Sequence, residues 1–254
     1  MPGHIQAIER AAAVLRLLST ATQDLGLQEI SDALGLPKTT AHGIVKTLRH
    51  LSLVEQDRDS RRYRLGRGLE ELGGGGLDPH LLRSHSINWA DSLAANTGAS
   101  VLVGVPRADD VEVVHHVFRP DGSSQRMRIG ETLPLHATAL GKVLLAFGTG
   151  LGPRMRSLRL DRYTTRTVQR LSQLEEEVAT ARRRGYASTL GEHIPDVASI
   201  AAPIRAYGGL GVGAVALVGP ADQICTPSGA PRKALIDRVV SAAKSISEQL
   251  ELDP

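Results

Sequence analysis

Four consecutive glycines, Gly73 to Gly76, are followed closely by Asp78 and Pro79. Glycine gives up the most backbone freedom on ordering and offers no side chain to pack, so such a run interrupts any helix or strand. The 254 residues therefore read as two units joined by a flexible joint, each within the ordinary size of a domain. The expected boundaries are 1–66 for the first unit, 67–80 for the linker and 81–254 for the second. Hydrophobic residues make up 41% of the chain and charged residues 22%, enough for two cores and far from a disordered composition. Aromatic residues are only 3%, which leaves few rings to stack on single-stranded nucleic acid. The lone cysteine, Cys225, excludes an internal disulfide and suits a reducing compartment. Glu9 and Arg10 interrupt the N-terminal apolar pattern, unlike a secretory leader, and no apolar run reaches the roughly 18 residues of a membrane span. A cytoplasmic location is expected.

In the first unit, Ile5, Ile8, Ala12, Leu15 and Leu18 recur at helical spacing. A second short helix fits residues 28–34, with Ile30, Ala33 and Leu34 facing inward, and Gly35 ends it. Pro37 suits the first turn of a third helix. There Ala41, Ile44, Val45, Leu48 and Leu51 form one apolar stripe, while Thr39, His42, Gly43, Lys46 and His50 form the opposite one. Two short helices joined by a glycine turn, the second with a polar outer face, predict a helix-turn-helix that can enter a DNA major groove.

The segment that follows, "LVEQDRDSRRYRLG", reads as a hairpin with an Asp- and Ser-rich turn and a basic returning strand. After a recognition helix this is a wing, whose arginines bind phosphates without specifying sequence. Between Lys38 and Arg67 eight Lys and Arg residues stand against three acids, a local excess of five where the whole chain has a net charge of only +3. Candidate DNA contacts are Gln28, Lys38, Thr39, Thr40, His42, Gly43 and Lys46 on the helices, with Arg58, Arg61, Arg62 and Tyr63 on the wing. Gly43 costs its helix about 1 kcal/mol relative to alanine. Either the helix backbone approaches the bases there, or packing simply tolerates the glycine.

The second unit reads as a helix over about 80–96, strands "ASVLVGV" and "VEVVHHVF", a short strand "RMRI", and a helix in "ATALGKVLLAF". A helix over about 171–184 ending at Gly185, a hairpin of "SIAAPIRAY" and "GVGAVALV" around Gly208 and Gly209, and a helix over about 231–250 complete it. Hairpin-linked strands flanked by helices predict an antiparallel sheet covered by helices, an α+β fold. Catalytic motifs fail. Gly141-Lys142 lacks the opening glycine and the Ser or Thr of a phosphate loop, and no GxSxG or HExxH occurs. His115 and His116 are adjacent on a strand and point to opposite faces. No enzyme activity, metal or cofactor is expected.

Together "LQEISDALGLPKTTAHGIVKTLRHLSLVE", "YRLG", "LPLHATALGKVLLAF", "RRRGYASTLGEH", "SIAAPI" and "GAVALVGP" resemble, over nearly the whole chain, the IclR family of bacterial transcriptional regulators. The resemblance implies a winged helix-turn-helix, a GAF-like effector domain, a homodimer or tetramer, double-stranded operator DNA as partner, and regulation of a catabolic operon, with repression expected. It places a connecting helix where the four glycines stand. Most members carry Arg at the position of Gly43 and Gly at that of Ser52. In the family a small organic acid sits at the helix N-terminus in "ETLPLHATALGK", which implies backbone contacts from Ala139 and Leu140. Side-chain contacts are implied from Thr189, Ser199, Ala216 and Val218. Some members have an acidic group at Thr189, a Cys at Ser199 and hydroxyls at Ala216 and Val218. The less polar wall here suits a neutral polyol, or a polyol phosphate with His136, Arg128 or His193 nearby. Met127, Leu133 and His136 are further lining candidates, with core packing or helix capping as the alternative. The rival reading is a metabolite-binding protein or enzyme whose winged domain is a protein-interaction module.

Overall fold

The computed structural model describes residues 5–21, 23–57, 60–66, 68, 77–148, 151–206 and 209–252. The Gly73–Gly76 run, Arg58 and Gly208 fall outside them. The chain separates into two compact units, 1–74 and 75–254.

The first unit holds helices α1 (Gln6–Thr20), α2 (Leu27–Leu34) and α3 (Lys38–His50), then the antiparallel strands β1 (Val54–Gln56) and β2 (Tyr63–Leu65). The Glu29 carboxylate accepts from the Gly26 amide at the start of α2. Gly35 adopts a left-handed conformation at its end, and the Ser31 hydroxyl donates to the Leu36 carbonyl across the turn. Val14, Leu18, Ile30, Val45, Leu48, Val54 and Tyr63 form the core. The predicted stripes are partly corrected: Ile5, Ile8, Ala33 and Leu51 are exposed. Helix α1 buries only Val14 and Leu18, and its first turn is exposed, beyond the core it serves. Leu25 and Tyr63 exchange both backbone hydrogen bonds, stitching the wing to the loop between α1 and α2.

The second unit is a six-stranded sheet covered on both faces. Helix α4 (Pro79–Thr97) begins where the Asp78 carboxylate accepts from the His80 amide. Strands β3 (Ser100–Arg107), β4 (Asp110–Val117), β5 (Thr132–Pro134), β6 (Ala187–Leu190), β7 (Val197–Ala206) and β8 (Leu210–Pro220) pair antiparallel in the order β5-β4-β3-β8-β7-β6. Alternate residues split between two cores. Val101, Val103, Ile200, Ile204, Val215 and Leu217 face α4 and the last helix, α9 (Lys233–Leu252). Leu102, Val113, Ala201, Ala214 and Ala216 face α5 (Ala139–Phe147) and α7 (Leu171–Arg184). Short helices α6 (Leu151–Arg154) and α8 (Ala221–Ile224) join these elements. Burial on both faces explains the near-continuous apolar runs of β3 and β8.

The strand predicted at "RMRI" is absent; β5 lies three residues further on. Gly130, with φ +82°, turns the chain, and its amide bonds the Val113 carbonyl, so the ladder begins after that turn. Strand β6 had no sequence counterpart.

Two backbone positions bear on stability. A Cβ built on Gly141 would stand 2.3 Å from the Leu135 carbonyl oxygen, so α5 packs backbone to backbone on that segment. Ser52 holds φ +58°, a left-handed conformation that costs a side-chain-bearing residue about 1 kcal/mol. Ser52→Gly is expected to raise unfolding free energy by about 1 kcal/mol, and Gly141→Ala to lower it by about 2 kcal/mol through overpacking, both measured by denaturant melts.

Candidate nucleic-acid interface and ligand cavity

The outer stripe of α3 stands free. Lys38, Thr39, His42, Gly43, Lys46 and His50 are exposed, and Thr40 is half-buried. A Cβ on Gly43 would meet nothing within 4 Å, so packing within the chain does not demand glycine there. Gln28 is exposed on α2, where its amide donates to Asp32. The wing divides its arginines. Arg62 donates to the Asp24 carbonyl and, at 2.6 Å, to the Glu29 carboxylate. Arg64 pairs with Glu55 and, at 3.8 Å, with Asp24. The Gly26 amide and then the Arg62 guanidinium hold the Glu29 carboxyl below the usual range. Arg61, at the wing turn with φ +57°, is exposed. Tyr63, expected as a DNA contact, is 5% exposed and belongs to the core; that expectation is corrected, because its ring is the apolar body that anchors β2. Arg62 is likewise spent on holding the wing. Arg58 lies outside the described residues.

The cavity in the second unit opens at the N-terminus of α5. Thr138 caps the helix: its hydroxyl donates to the Pro134 carbonyl and accepts from the Gly141 amide. The amides of Ala139 and Leu140 have no acceptor among the described residues. Leu133, Ala139, Leu140, Thr189, Ser199, Ala216 and Val218 all line the cavity, together with Arg128, His193 and Ile194. The Thr189 and Ser199 hydroxyls lie 2.6 Å apart. Its volume is about 40 Å³, room for about three water-sized groups.

Two expected lining residues do not reach it. Met127 is 52% exposed, on the segment expected to be a strand. His136 is buried, with its Nε2 3.0 Å from the Asp161 carbonyl; it neither lines the cavity nor caps α5, because Thr138 takes that role. Burial holds the His136 ring below the usual imidazole pKa.

Charges at the rim are paired. Arg128 donates to Glu131 through Nε at 2.9 Å and through Nη2 at 3.2 Å, which lowers the Glu131 carboxyl's pKa. Burial, and then Arg128, hold the His193 pKa below the usual imidazole range. Arg128 is placed by His116, whose Nδ1 accepts the Arg128 amide at 3.2 Å. The proton must then sit on Nε2, 2.9 Å from the Ser100 hydroxyl, which itself donates to the Val117 carbonyl. Burial and Arg128 push His116 down to about 4.

The first unit matches the IclR helix-turn-helix domain over residues 7–58, and the second the bacterial transcriptional regulator IclR C-terminal domain over residues 76–248. The chain belongs to the IclR family of bacterial transcriptional regulators. Family membership makes it a DNA-binding regulator with a small-molecule effector domain, not an enzyme, and the protein-interaction reading of the winged domain is not favoured. It is 44% identical over 252 residues, 98% of each chain, to the glycerol operon regulatory protein of Streptomyces coelicolor. Identity to the same-named protein of Streptomyces griseus is 42% over 250 residues, again 98% of each chain. The crystal structure of the Thermotoga maritima IclR shares the fold with a TM-score of 0.61 and 22% identity, over 97% of this chain and 99% of that one. No helix among the described residues is long and apolar enough to cross a membrane.

Within an IclR regulator the wing geometry makes a sharp distinction. Arg61→Ala should reduce the slope of log affinity against log salt by about one, the loss of one phosphate contact. Arg62→Ala should leave that slope unchanged while loosening the wing, read by hydrogen exchange of the Tyr63 amide. His116 gives a pH signature. Its folded pKa is depressed, so its stabilisation is full above the unfolded value of about 6.5 and is lost as pH falls through about 4. Wild type should lose on the order of 3 kcal/mol relative to His116→Gln between pH 7 and pH 4, measured by denaturant melts across that range.

Proposed function

We propose that this regulator represses a glycerol-utilisation operon, and that a three-carbon polyol, free or as its phosphate ester, is the effector. The observation that carries the proposal is 44% identity to a glycerol operon regulatory protein, sustained over 98% of both chains. The cavity supports it. The free amides of Ala139 and Leu140 with the Thr189 and Ser199 hydroxyls offer polar partners to hydroxyl groups. Arg128 is already matched by Glu131 and the lower wall is apolar at Ala216 and Val218, which favours hydroxyls over a bare carboxylate.

DNA binding is assigned to residues 1–66, with base contacts from Thr39, His42 and Lys46, phosphate contacts from Lys38 and Arg61, and Gly43 allowing close backbone approach. Residues 67–80 serve as the linker, and residues 81–254 bind effector and assemble a dimer or tetramer. Two recognition helices per dimer would read a two-fold operator, and the effector would shift their spacing by a coupling between distinct sites.

Fluorescence anisotropy with duplexes from the regulator's own upstream region, against scrambled duplexes, tests this reading. Glycerol or glycerol 3-phosphate should release the selective complex, and which of the two acts names the source of the polyol. Release by neither, with selective DNA binding intact, would remove the effector assignment. Thr189→Val should raise the concentration needed for half release by about tenfold, the loss of one hydroxyl contact. Gly43→Arg should abolish selective binding; unchanged affinity and base preference would show that Gly43 is merely tolerated.

A further inference from the structure

Lys142 is the largest fully buried side chain among the described residues, 1% exposed on α5. Its ammonium donates to Glu192 at 2.6 Å and to Glu177 of α7 at 2.5 Å. The two partners differ in what they hold. Glu177 belongs to a helix of the body. Glu192 belongs to the segment 191–196, whose His193 and Ile194 form one wall of the effector cavity. Ala139 and Leu140, at the start of the helix that carries Lys142, line it too. One side chain therefore ties α5 to the segment that carries His193 and Ile194.

Other contacts show how the segment is mounted. Gly191 and Asp196 bracket it in left-handed conformations, φ +65° and +59°. From outside, the Thr164 hydroxyl donates to the Gly191 carbonyl and that of Thr167 to the Glu192 carbonyl, each at 2.6 Å. Those are neutral hydrogen bonds to backbone. The Lys142–Glu192 pair is the charged tie, with the Glu192 side chain 12% exposed. Of the segments that line the cavity, 191–196 is the one set between two left-handed residues.

We infer that Lys142 is a positioning residue for effector binding, and that the Lys142–Glu192 ion pair is the latch that closes segment 191–196 over the cavity. The inference rests on the reading of that cavity as the effector site. It touches no ligand atom; it sets how often the cavity opens, and so how fast an effector enters and leaves.

Glu192→Gln and Glu177→Gln in the full-length protein form the test, since both weaken the same lysine's pairing and only one partner belongs to the cavity wall. Hydrogen–deuterium exchange needs no ligand. In Glu192→Gln the amides of residues 191–197 should exchange at least tenfold faster, while in Glu177→Gln they should stay within about twofold of wild type. With glycerol as probe, dissociation should quicken by a similar factor in Glu192→Gln alone, with operator affinity unchanged in the absence of probe. Glu192→Asp, which keeps the charge, should restore part of the protection. Equal exchange in the two Gln variants would make Lys142 a general core anchor, and no change in either would remove the latch; both outcomes overturn the inference. Failure of glycerol to bind wild type, with the exchange contrast intact, would count against glycerol as the effector and leave the latch standing.

Discussion

Helix α5 meets the segment before it with no room for a methyl group, Gly141 lying against the Leu135 carbonyl. That contact depends on a glycine at the third helical position and on the Thr138 cap that turns the chain into the helix. Together they fix where the free amides of Ala139 and Leu140 stand. Strands β3 and β8 then supply Leu102, Ala216 and Val218 as the floor. β6 and β7 supply Thr189 and Ser199, placed opposite one another by register. A shift of β6 by one residue in that register would turn the Thr189 hydroxyl to the other face of the sheet, away from Ser199.

In the winged unit the limiting quantity is free charge. The sequence presents a strongly basic stretch, but the fold neutralises much of it. Arg62 and Arg64 meet Glu29, Glu55 and Asp24, and Arg49 donates to Gln56. These pairs are at the surface and add little to stability, so their effect is placement. Arg62 joins the wing to α2 across 33 residues of sequence, and among the described residues of this stretch Lys38, Lys46 and Arg61 are exposed on α3 and at the wing turn. A nucleic-acid surface read from net charge alone would have counted cations that are already paired with carboxylates.

Much of the architecture was legible because it follows periodicity. The helical spacing of 38–51, the glycine stop at Gly185 and the apolar runs of β7 and β8 each express a local rule. What was missed depends on distant partners. Tyr63 looked like a contact residue among arginines, yet its ring completes a core made by α1, α2 and α3. "RMRI" alternates like a strand, but its place beside β4 is taken by a turn at Gly130. β6 carries only one large aliphatic residue, Leu190, so no pattern marks it. Most of the cavity's lining came from resemblance, not pattern, and Met127 and His136 failed because neither side chain points along the route that the α5 cap dictates.

Lys142 shows where a signal was present and went unread. As part of a phosphate loop, Gly141-Lys142 fails on spacing. Yet residues 139–146 of α5 are all buried, and apart from this lysine the stretch from Ala139 to Phe147 is apolar or glycine. A lysine inside an all-round apolar helix is buried and must be paired. Its partners must be acidic, because an ammonium taken out of water without compensation would lose its proton instead. Two carboxylates meet one ammonium here, and burial raises the Glu192 pKa, so the pair at Glu192 is held at a cost in desolvation. A hydrophobic residue of similar volume would often serve stability as well. An ion pair kept in such a place is better explained by the geometry it imposes than by the stability it adds, and what it imposes is the attachment of segment 191–196 to α5.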